Sequence, residues 1–363
     1  MQENQALLLL SAVPFLGPVK IKRLVYYFGS AAAALSASKL EIAQVPGITE
    51  KSLNHWDQRF EALESSKNLA LLKKLNTHLI AYRDPDYPQQ LLEIKDFPLL
   101  LYVQGKVKPL LSSNCIAIIG TRNASLYGLE MAKKIGQELA AAGFTVVSGL
   151  ARGIDTAAHQ GAIKAGSTLA VLGCGLSHIY PLENRSLATE ITHQGALISE
   201  LPMQMPPDRT HFPRRNRIVS GLSQATLLIE APLKSGAMLT MDHALHQQRL
   251  LFALPGRADL ENFRGNHHLV KTKKAHLIEN SHDILEFFPS QKNFLPLSSF
   301  SALDFSFSPE EQQLIQLLPC HELCIEEIFQ RAHFSMARLT SLLMGLVLKK
   351  AVIEFPGKIY KKI

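Results

Sequence analysis

The chain is 363 residues long and carries 38 Lys and Arg against 31 Asp and Glu, a formal charge of +7 that makes it mildly basic rather than polycationic. Hydrophobic residues are 47% and charged residues 19% of the chain, which excludes collagen-like, disordered and coiled-coil classes, and the length allows two or three domains whose cores need no disulfide staple. The longest apolar runs, such as residues 6–10 and 31–35, fall well short of the roughly 20 residues of a membrane helix; the opening MQENQ has neither the basic start nor the apolar stretch of a signal peptide, so a soluble cytoplasmic protein is expected.

Residues 1–78 are expected to form a unit of short helices. Val13-Pro14-x-x-Gly17-Pro18 precedes a helical stretch through Val25, and Val45-Pro46-Gly47-Ile48 precedes another from about Glu50. Turns of this helix-hairpin-helix (SAM-like) kind can present backbone N–H groups to a DNA phosphate without reading sequence, with Lys20, Lys22 and Arg23 flanking the first. A small packing domain would need the same glycines for backbone geometry alone. Residues 79–111 are expected to be a connector into the next unit.

Residues 112–288 alternate continuous apolar runs with amphipathic stretches. The runs at 116–120, 145–149, 169–173, 196–199, 226–230 and 250–254 read as strands buried on both faces. The stretches at 126–142, 155–165, 184–193 and 235–248 read as helices. This is the α/β class with a parallel, doubly wound sheet, in which ligands bind outside the carboxyl ends of the strands. The loops at that edge carry Gly120-Thr121-Arg122, Ser148-Gly149-Leu150-Ala151-Arg152-Gly153 and Lys234-Ser235-Gly236. An Arg beside a helix N-terminus is unfavourable against the dipole, and a bound anion removes the conflict. Glycines admit a phosphate close to backbone N–H donors, while Arg122 and Lys234 complete the charge. One such loop is explained by turn geometry; several on one sheet edge point to an anion site.

The run His211-Phe212-Pro213-Arg214-Arg215-Asn216-Arg217 favours a polymer over a small cofactor, because a basic groove with an aromatic platform is what single-stranded nucleic acid requires. Gly173-Cys174-Gly175-Leu176-Ser177-His178 holds only the first two glycines of the dinucleotide fingerprint, Glu200 lies past the expected offset, and no P-loop motif is present. No cofactor is expected. No metal is expected either: Cys320-His321-x-x-Cys324 lacks a second ligand pair, and Cys115 and Cys174 lie in or beside apolar runs, as buried thiols of a reducing compartment do.

Ile118-Ile119-Gly120-Thr121-Arg122-x-x-Ser125-x-Tyr127-Gly128, Ser148-Gly149-Leu150-Ala151-Arg152-Gly153-Ile154-Asp155-x-x-Ala158-His159, Phe212-Pro213-Arg214-Arg215-Asn216-Arg217-Ile218-Val219-Ser220-Gly221-Leu222 and Lys234-Ser235-Gly236 closely resemble the DprA/Smf (DNA-processing protein A) family over most of residues 112–288. The resemblance implies an extended Rossmann-like fold for this unit and a homodimer paired through it that binds single-stranded DNA, protects incoming DNA and loads the RecA recombinase during natural transformation. It places Arg122 on a phosphate, with Gly120, Thr121, Ser148 and Gly149 lining the pocket and Arg152, Arg214, Arg215, Asn216, Arg217, Lys234, Ser235 and Gly236 extending it. Phe212 is either a stacking platform or an anchor for its own segment. Where the family usually has Gly-Ala before its last strand, this chain has Lys274-Ala275, and Arg264, Lys271 and Lys273 nearby are candidates to enlarge the track.

Asp155 and His159, four residues apart, and Glu183, Glu200 and Glu230 near strand ends offer acid/base chemistry, although Asp155 reads more simply as a helix N-cap. The rival function is a phosphoribohydrolase resembling the lysine-decarboxylase-like enzymes, but their Pro-Gly-Gly-x-Gly-Thr motif is missing, since Pro255-Gly256 is followed by Arg257 and Ala258. A binding protein without enzymatic activity is therefore expected. Residues 289–309 read as a linker. Residues 310–363 read as three helices and a hairpin, a winged helix whose third helix has Arg338 as its only charge before Lys349, which suits a protein contact better than duplex readout.

Overall fold

The computed structural model describes residues 3–57, 71–289, 307–318, 323–349, 351–355 and 357–362, and the chain separates into two units, Met1–Pro296 and Leu297–Ile363. The first opens with α1 (Glu3–Ala12), α2 (Pro18–Phe28), α3 (Ala31–Ser36), α4 (Lys39–Ala43) and α5 (Glu50–Asn54). Local chemistry sets these boundaries: Pro18 starts α2 where its missing N–H costs nothing, Gly29 ends it in the left-handed region at φ 83°, and Ser38 with Glu41 forms a capping box on α4. The helices do not close a core of their own. Leu7, Leu10, Leu24 and Trp56 share one apolar cluster with Leu100, Leu172, Leu187 and Ile191 of the sheet region.

Nine strands follow: β1 (Thr77–Ala81), β2 (Leu100–Gly105), β3 (Cys115–Ile119), β4 (Thr145–Ser148), β5 (Thr168–Val171), β6 (Ala196–Ser199), β7 (Ala225–Leu228), β8 (Leu250–Ala253) and β9 (His276–Leu277). They make one sheet in the order β1-β2-β6-β5-β4-β3-β7-β8-β9. From β6 to β9 neighbours are parallel, with Ile116 beside Val146 on one side and Ala225 on the other. The helices among them are α6 (Gln89–Leu92), α7 (Leu126–Ala141), α8 (Ile154–Ala162), α9 (Arg185–Gln194), α10 (His211–Gly221), α11 (Gly236–His246), α12 (Arg264–Lys271) and α13 (Ser281–Leu285). Alternation along β3 shows the layering: Ile116 and Ile118 pack with Ile135, Leu139 and Ala158 of α7 and α8, while Ala117 and Ile119 pack with Ile218, Met241 and Leu269 of α10, α11 and α12. The chain leaves β3 for β4 on one side and later returns to β7 on its other side, so the topological switch point lies between β3 and β7.

Two sequence expectations change and a third segment gains its element. The stretch 79–111, expected as a connector, completes β1 and supplies β2, which pairs antiparallel with both β1 and β6. Residues 211–217, read from sequence only as a basic run with an aromatic and given no element, are the start of α10 despite Pro213; Pro213 is the helix's third residue, where a backbone N–H would have no helical acceptor. Asp155 is not the N-cap of α8: that position is Gly153, at φ 74°.

The second unit consists of α14 (Pro309–Leu317), β10 (Leu323–Cys324), α15 (Ile325–Arg331), α16 (Met336–Leu348), β11 (Val352–Phe355) and β12 (Ile359–Lys362). Its strands pair antiparallel in the order β10-β12-β11 around Leu314, Leu339, Leu343, Leu346 and Tyr360. This is the element order of a winged helix. Most of the expected linker, residues 290–306, lies outside the described residues, as do Cys320 and His321. Among the described residues no helix is long and apolar enough to cross a membrane.

Candidate nucleic-acid interface

A cleft of about 580 Å³ opens at the carboxyl ends of β3 and β4, between the N-termini of α10 and α11. Of the residues expected from sequence, Gly120, Thr121, Arg122, Gly149, Phe212, Arg215, Asn216, Ser235 and Gly236 line it. The loop after β3 lies flat because the Thr121 N–H donates to the Glu230 carbonyl at 2.7 Å, and a Cβ on Gly120 would strike Ile154 and that carbonyl. Arg122 is exposed, with its guanidinium carbon 5.4 Å from the Phe212 ring centroid.

Phe212 is packed against its surroundings yet keeps part of its ring accessible. It is half-buried, with an edge so close to Gly173 that a Cβ there would collide with the ring. It also stands 5.6 Å from the Tyr180 ring at 34° between planes. On the opposite wall, Ser235 caps α11 by accepting the Met238 N–H at 3.3 Å, Gly236 and Ala237 of its first turn face the cleft, and Asn216 Nδ2 ties α10 to the Gly236 carbonyl at 3.2 Å. The positive end of the α11 dipole is thus turned toward the space between Arg122 and Phe212.

Arg215 lines the cleft but is buried. It donates to the Gly149 carbonyl at 2.6 Å and to the Val171 carbonyl, stitching the ends of β4 and β5 to α10. Beneath it the Asp155 carboxylate accepts the N–H groups of Gly149 at 3.1 Å and Ala151 at 3.4 Å. Burial raises the Asp155 pKa, against the opposing pull of Arg215. Burial likewise lowers that of Arg215, against Asp155. The pair holds the Ser148–Gly153 loop in place from below.

The other expected residues lie elsewhere. Ser148 is buried and donates to the Ile118 carbonyl at 2.6 Å, a strand-to-strand link. Arg152 is exposed and bound to Glu183, bordering a small recess beside the cleft with Arg122 and Phe212. Arg217 is 4% exposed and paired with Asp96 at 3.1 Å and Glu200 at 2.6 Å. Arg214 is exposed on another face of α10, and Lys234 is exposed just ahead of the α11 cap. Arg264 pairs with Glu261 at 2.8 Å; Lys271, Lys273 and Lys274 are exposed, and none of the four lines the cleft. Sequence reasoning missed Tyr180 and Arg209, which do line it. An aromatic directly before Pro181 in a strand-end loop, and an arginine two residues ahead of the basic run, were the available signals.

The flanking cations of the first N-terminal turn are already engaged. Lys20 Nζ donates to the Phe15 carbonyl, Thr49 Oγ1 and Ser52 Oγ at 2.9, 3.0 and 2.9 Å, and Arg23 to the Pro46 carbonyl at 3.1 Å. Lys22 donates to the Lys95 carbonyl at 3.0 Å and sits 3.0 Å above the Phe97 ring centroid; burial brings its pKa down to about 8.

The acid/base candidates are engaged as well. Glu230 accepts from the Ser125 N–H at 3.1 Å, the Ser125 hydroxyl at 2.6 Å and Asn262 at 2.9 Å, latching three loops together. His159 Nδ1 meets Thr168 Oγ1 at 2.7 Å, and burial brings its pKa down to about 3, which keeps it neutral. Among the described residues no group of three or more His, Cys, Asp or Glu side chains is placed to hold a metal.

A doubly wound α/β sheet with a basic, aromatic-walled cleft at its switch point, preceded by short helices and followed by a winged-helix unit, defines a Rossmann-like protein of composite architecture. Residues 78–289 match the family model described as DNA recombination-mediator protein A, and the chain belongs to that family. It is 39% identical to Protein Smf of Synechocystis over 259 residues, which are 70% of this chain and 65% of that protein. Two solved structures match part of the chain at 30% identity. DNA processing protein A (DprA) of Streptococcus pneumoniae superimposes with a TM-score of 0.67 over 79% of this chain and 98% of its own. The protein from Helicobacter pylori, described for its unique single-stranded DNA binding mode, does so with a TM-score of 0.55 over 60% of this chain and 97% of its own.

Proposed function

We propose that this protein binds single-stranded DNA in the strand-end cleft, with backbone phosphates held by Arg122, the Gly120-Thr121 loop and the first turn of α11, and a base against Phe212 and Tyr180. The observation that carries this reading is the Arg122–Phe212–Tyr180 arrangement facing a helix N-terminus, since a cation, a stacking surface and N–H donors within one cleft are what a single strand requires. Single-strand binding by the Helicobacter pylori relative supports it. Arg215, Asn216, Ser148 and Gly149 act by shaping the cleft, while Lys234 adds charge near its rim and Arg152, held by Glu183, borders the adjoining recess.

The biological role proposed on this basis is protection of incoming DNA and loading of RecA during natural transformation, by a cytoplasmic homodimer formed through the Rossmann-like unit. A binding role is favoured over phosphoribohydrolase chemistry because Glu183, Glu200, Glu230 and Asp155 each already hold a structural partner. The test is a titration of labelled single-stranded oligonucleotide across a salt series, for wild type and Arg122→Ala, with RecA nucleation followed on the same strands. Binding through phosphates must weaken as salt rises. A salt-independent response, or turnover of a nucleoside monophosphate, would support the enzyme instead.

A further inference from the structure

A second groove, of about 450 Å³, runs along another flank of α10. Its walls include the Gly17-Pro18-Val19-Lys20 turn at the start of α2 and the side chains of Arg214 and Arg217. Pro213 borders both this groove and the strand-end cleft, so the two meet across the first turn of α10.

We propose that this groove is a phosphate subsite that continues the strand path out of the cleft, seating a backbone phosphate between Arg214 and the N-terminus of α2. The inference rests on the single-strand reading above and extends it to the N-terminal helices. α2 is an 11-residue helix whose N-cap, Gly17, makes no side-chain cap bond and whose first residue is Pro18. The N–H of Val19 therefore stands at the positive end of the dipole with no cap oxygen over it. Lys20 lies beside it with no acid among its three hydrogen-bond partners.

Arg217 supplies an independent sign of a missing ligand. Its Nε is taken by Asp96 and its Nη2 by Glu200, yet Nη1 is buried without a hydrogen-bond partner, and the residue forms part of the groove wall. A guanidinium nitrogen sealed from water without an acceptor is costly, and a phosphate oxygen would be an acceptor. Asp96 is the only acid among the lining residues, and it is held on Arg217. Arg214, outside the cleft and with no ion pair among the described residues, stands exposed on the same wall.

The experiment compares affinities of the full-length protein for labelled oligothymidylates of about 4 and about 16 nucleotides, lengths that span single-strand site sizes, for wild type, Arg214→Glu and Val19→Glu. The two variants place a carboxylate on opposite walls at exposed positions, so if one fails to fold the other decides. Wild type is expected to gain affinity with length, and both variants to lose most of that gain. Their salt dependence on the long strand should become shallower by about 0.7 in log–log slope, the share of one phosphate. If wild type binds neither strand, the single-strand reading falls and this one with it. If wild type binds but the variants keep the full gain with length, the groove is off the path and this inference alone is overturned. Inorganic phosphate is titrated as a competitor in parallel. Competition that removes the length gain in wild type supports the subsite, whereas phosphate binding at the groove with the length gain intact in the variants marks a small-anion site and overturns the strand path.

Discussion

At the strand-end cleft Arg122 stands over an aromatic ring beside a helix N-terminus; in the winged-helix unit Arg338, the only charged side chain of α16, is held by Glu310. Both arginines are exposed, but only the first leaves its donors for a ligand. The remainder of the exposed surface of α16 includes Met336, Met344 and Leu348, which have little to offer base edges that are read by hydrogen bonds. A side chain's formal charge counts toward nucleic-acid binding only after its intramolecular partners are subtracted, and α16 then has no free charged side chain to offer.

The contrast is tested most severely beneath the cleft. Arg215→Ala removes the guanidinium bound to the Gly149 and Val171 carbonyls and leaves Asp155 buried without its counter-charge, so denaturant unfolding should show a loss of about 3–5 kcal/mol, with binding lost as a consequence. Arg122→Ala should behave in the opposite way, lowering single-strand affinity by about 1.5–3 kcal/mol while unfolding stability stays within about 0.5 kcal/mol. Equal stability losses in the two variants would erase the distinction between scaffold and ligand contact. Tyr180→Ala should weaken binding by about 1–3 kcal/mol, the range for one stacked base, in fluorescence titrations; no change would leave Phe212 as the sole platform.

Acid separates the two units. Folded His159 stays neutral down to about pH 3, whereas the unfolded chain takes up that proton near the ordinary 6.5. Below 6.5 the unfolded state therefore binds more protons, and the Rossmann-like unit should lose up to about 1.4 kcal/mol per pH unit. In the winged-helix unit, Glu311 is held below the usual carboxylate range first by Lys349 and then by the Ser308 N–H. Its contribution is complete above that range and is lost only as pH falls through it. Calorimetric scans between pH 7 and 5 should destabilise only the first unit, and His159→Gln should flatten that dependence. The smallest effect is expected at Arg338→Ala: about 0–1 kcal/mol of stability, as for exposed pairs, and unchanged single-strand binding.

Legibility in the sequence followed burial. The runs at 116–120, 145–149 and 169–173 are apolar because parallel strands are covered on both faces, and the structure places β3, β4 and β5 there within a residue or two. β1 and β2 escaped because antiparallel strands need no crossover helix to announce them, and β9 because two residues, His276 and Leu277, carry no period. The glycines and Arg122 of the site were readable from their turns. What the sequence could not divide was the basic run: Arg214, Arg215 and Arg217 look alike on paper, yet one is exposed, one grips strand-end carbonyls and one is buried between two carboxylates. That division depends on rotation about a helix that Pro213 made hard to foresee.

That helix also limits how this segment can change. α10 turns Phe212, Arg215 and Asn216 to one groove and Arg214 and Arg217 to another, and each residue advances the helix by about 100°. An insertion or deletion of one residue after Pro213 would swing Arg215 off the Gly149 carbonyl and Arg217 off Glu200 together, whereas a change of side chain at any one position disturbs one groove. The spacing of the segment is thus constrained as tightly as the identity of Arg215.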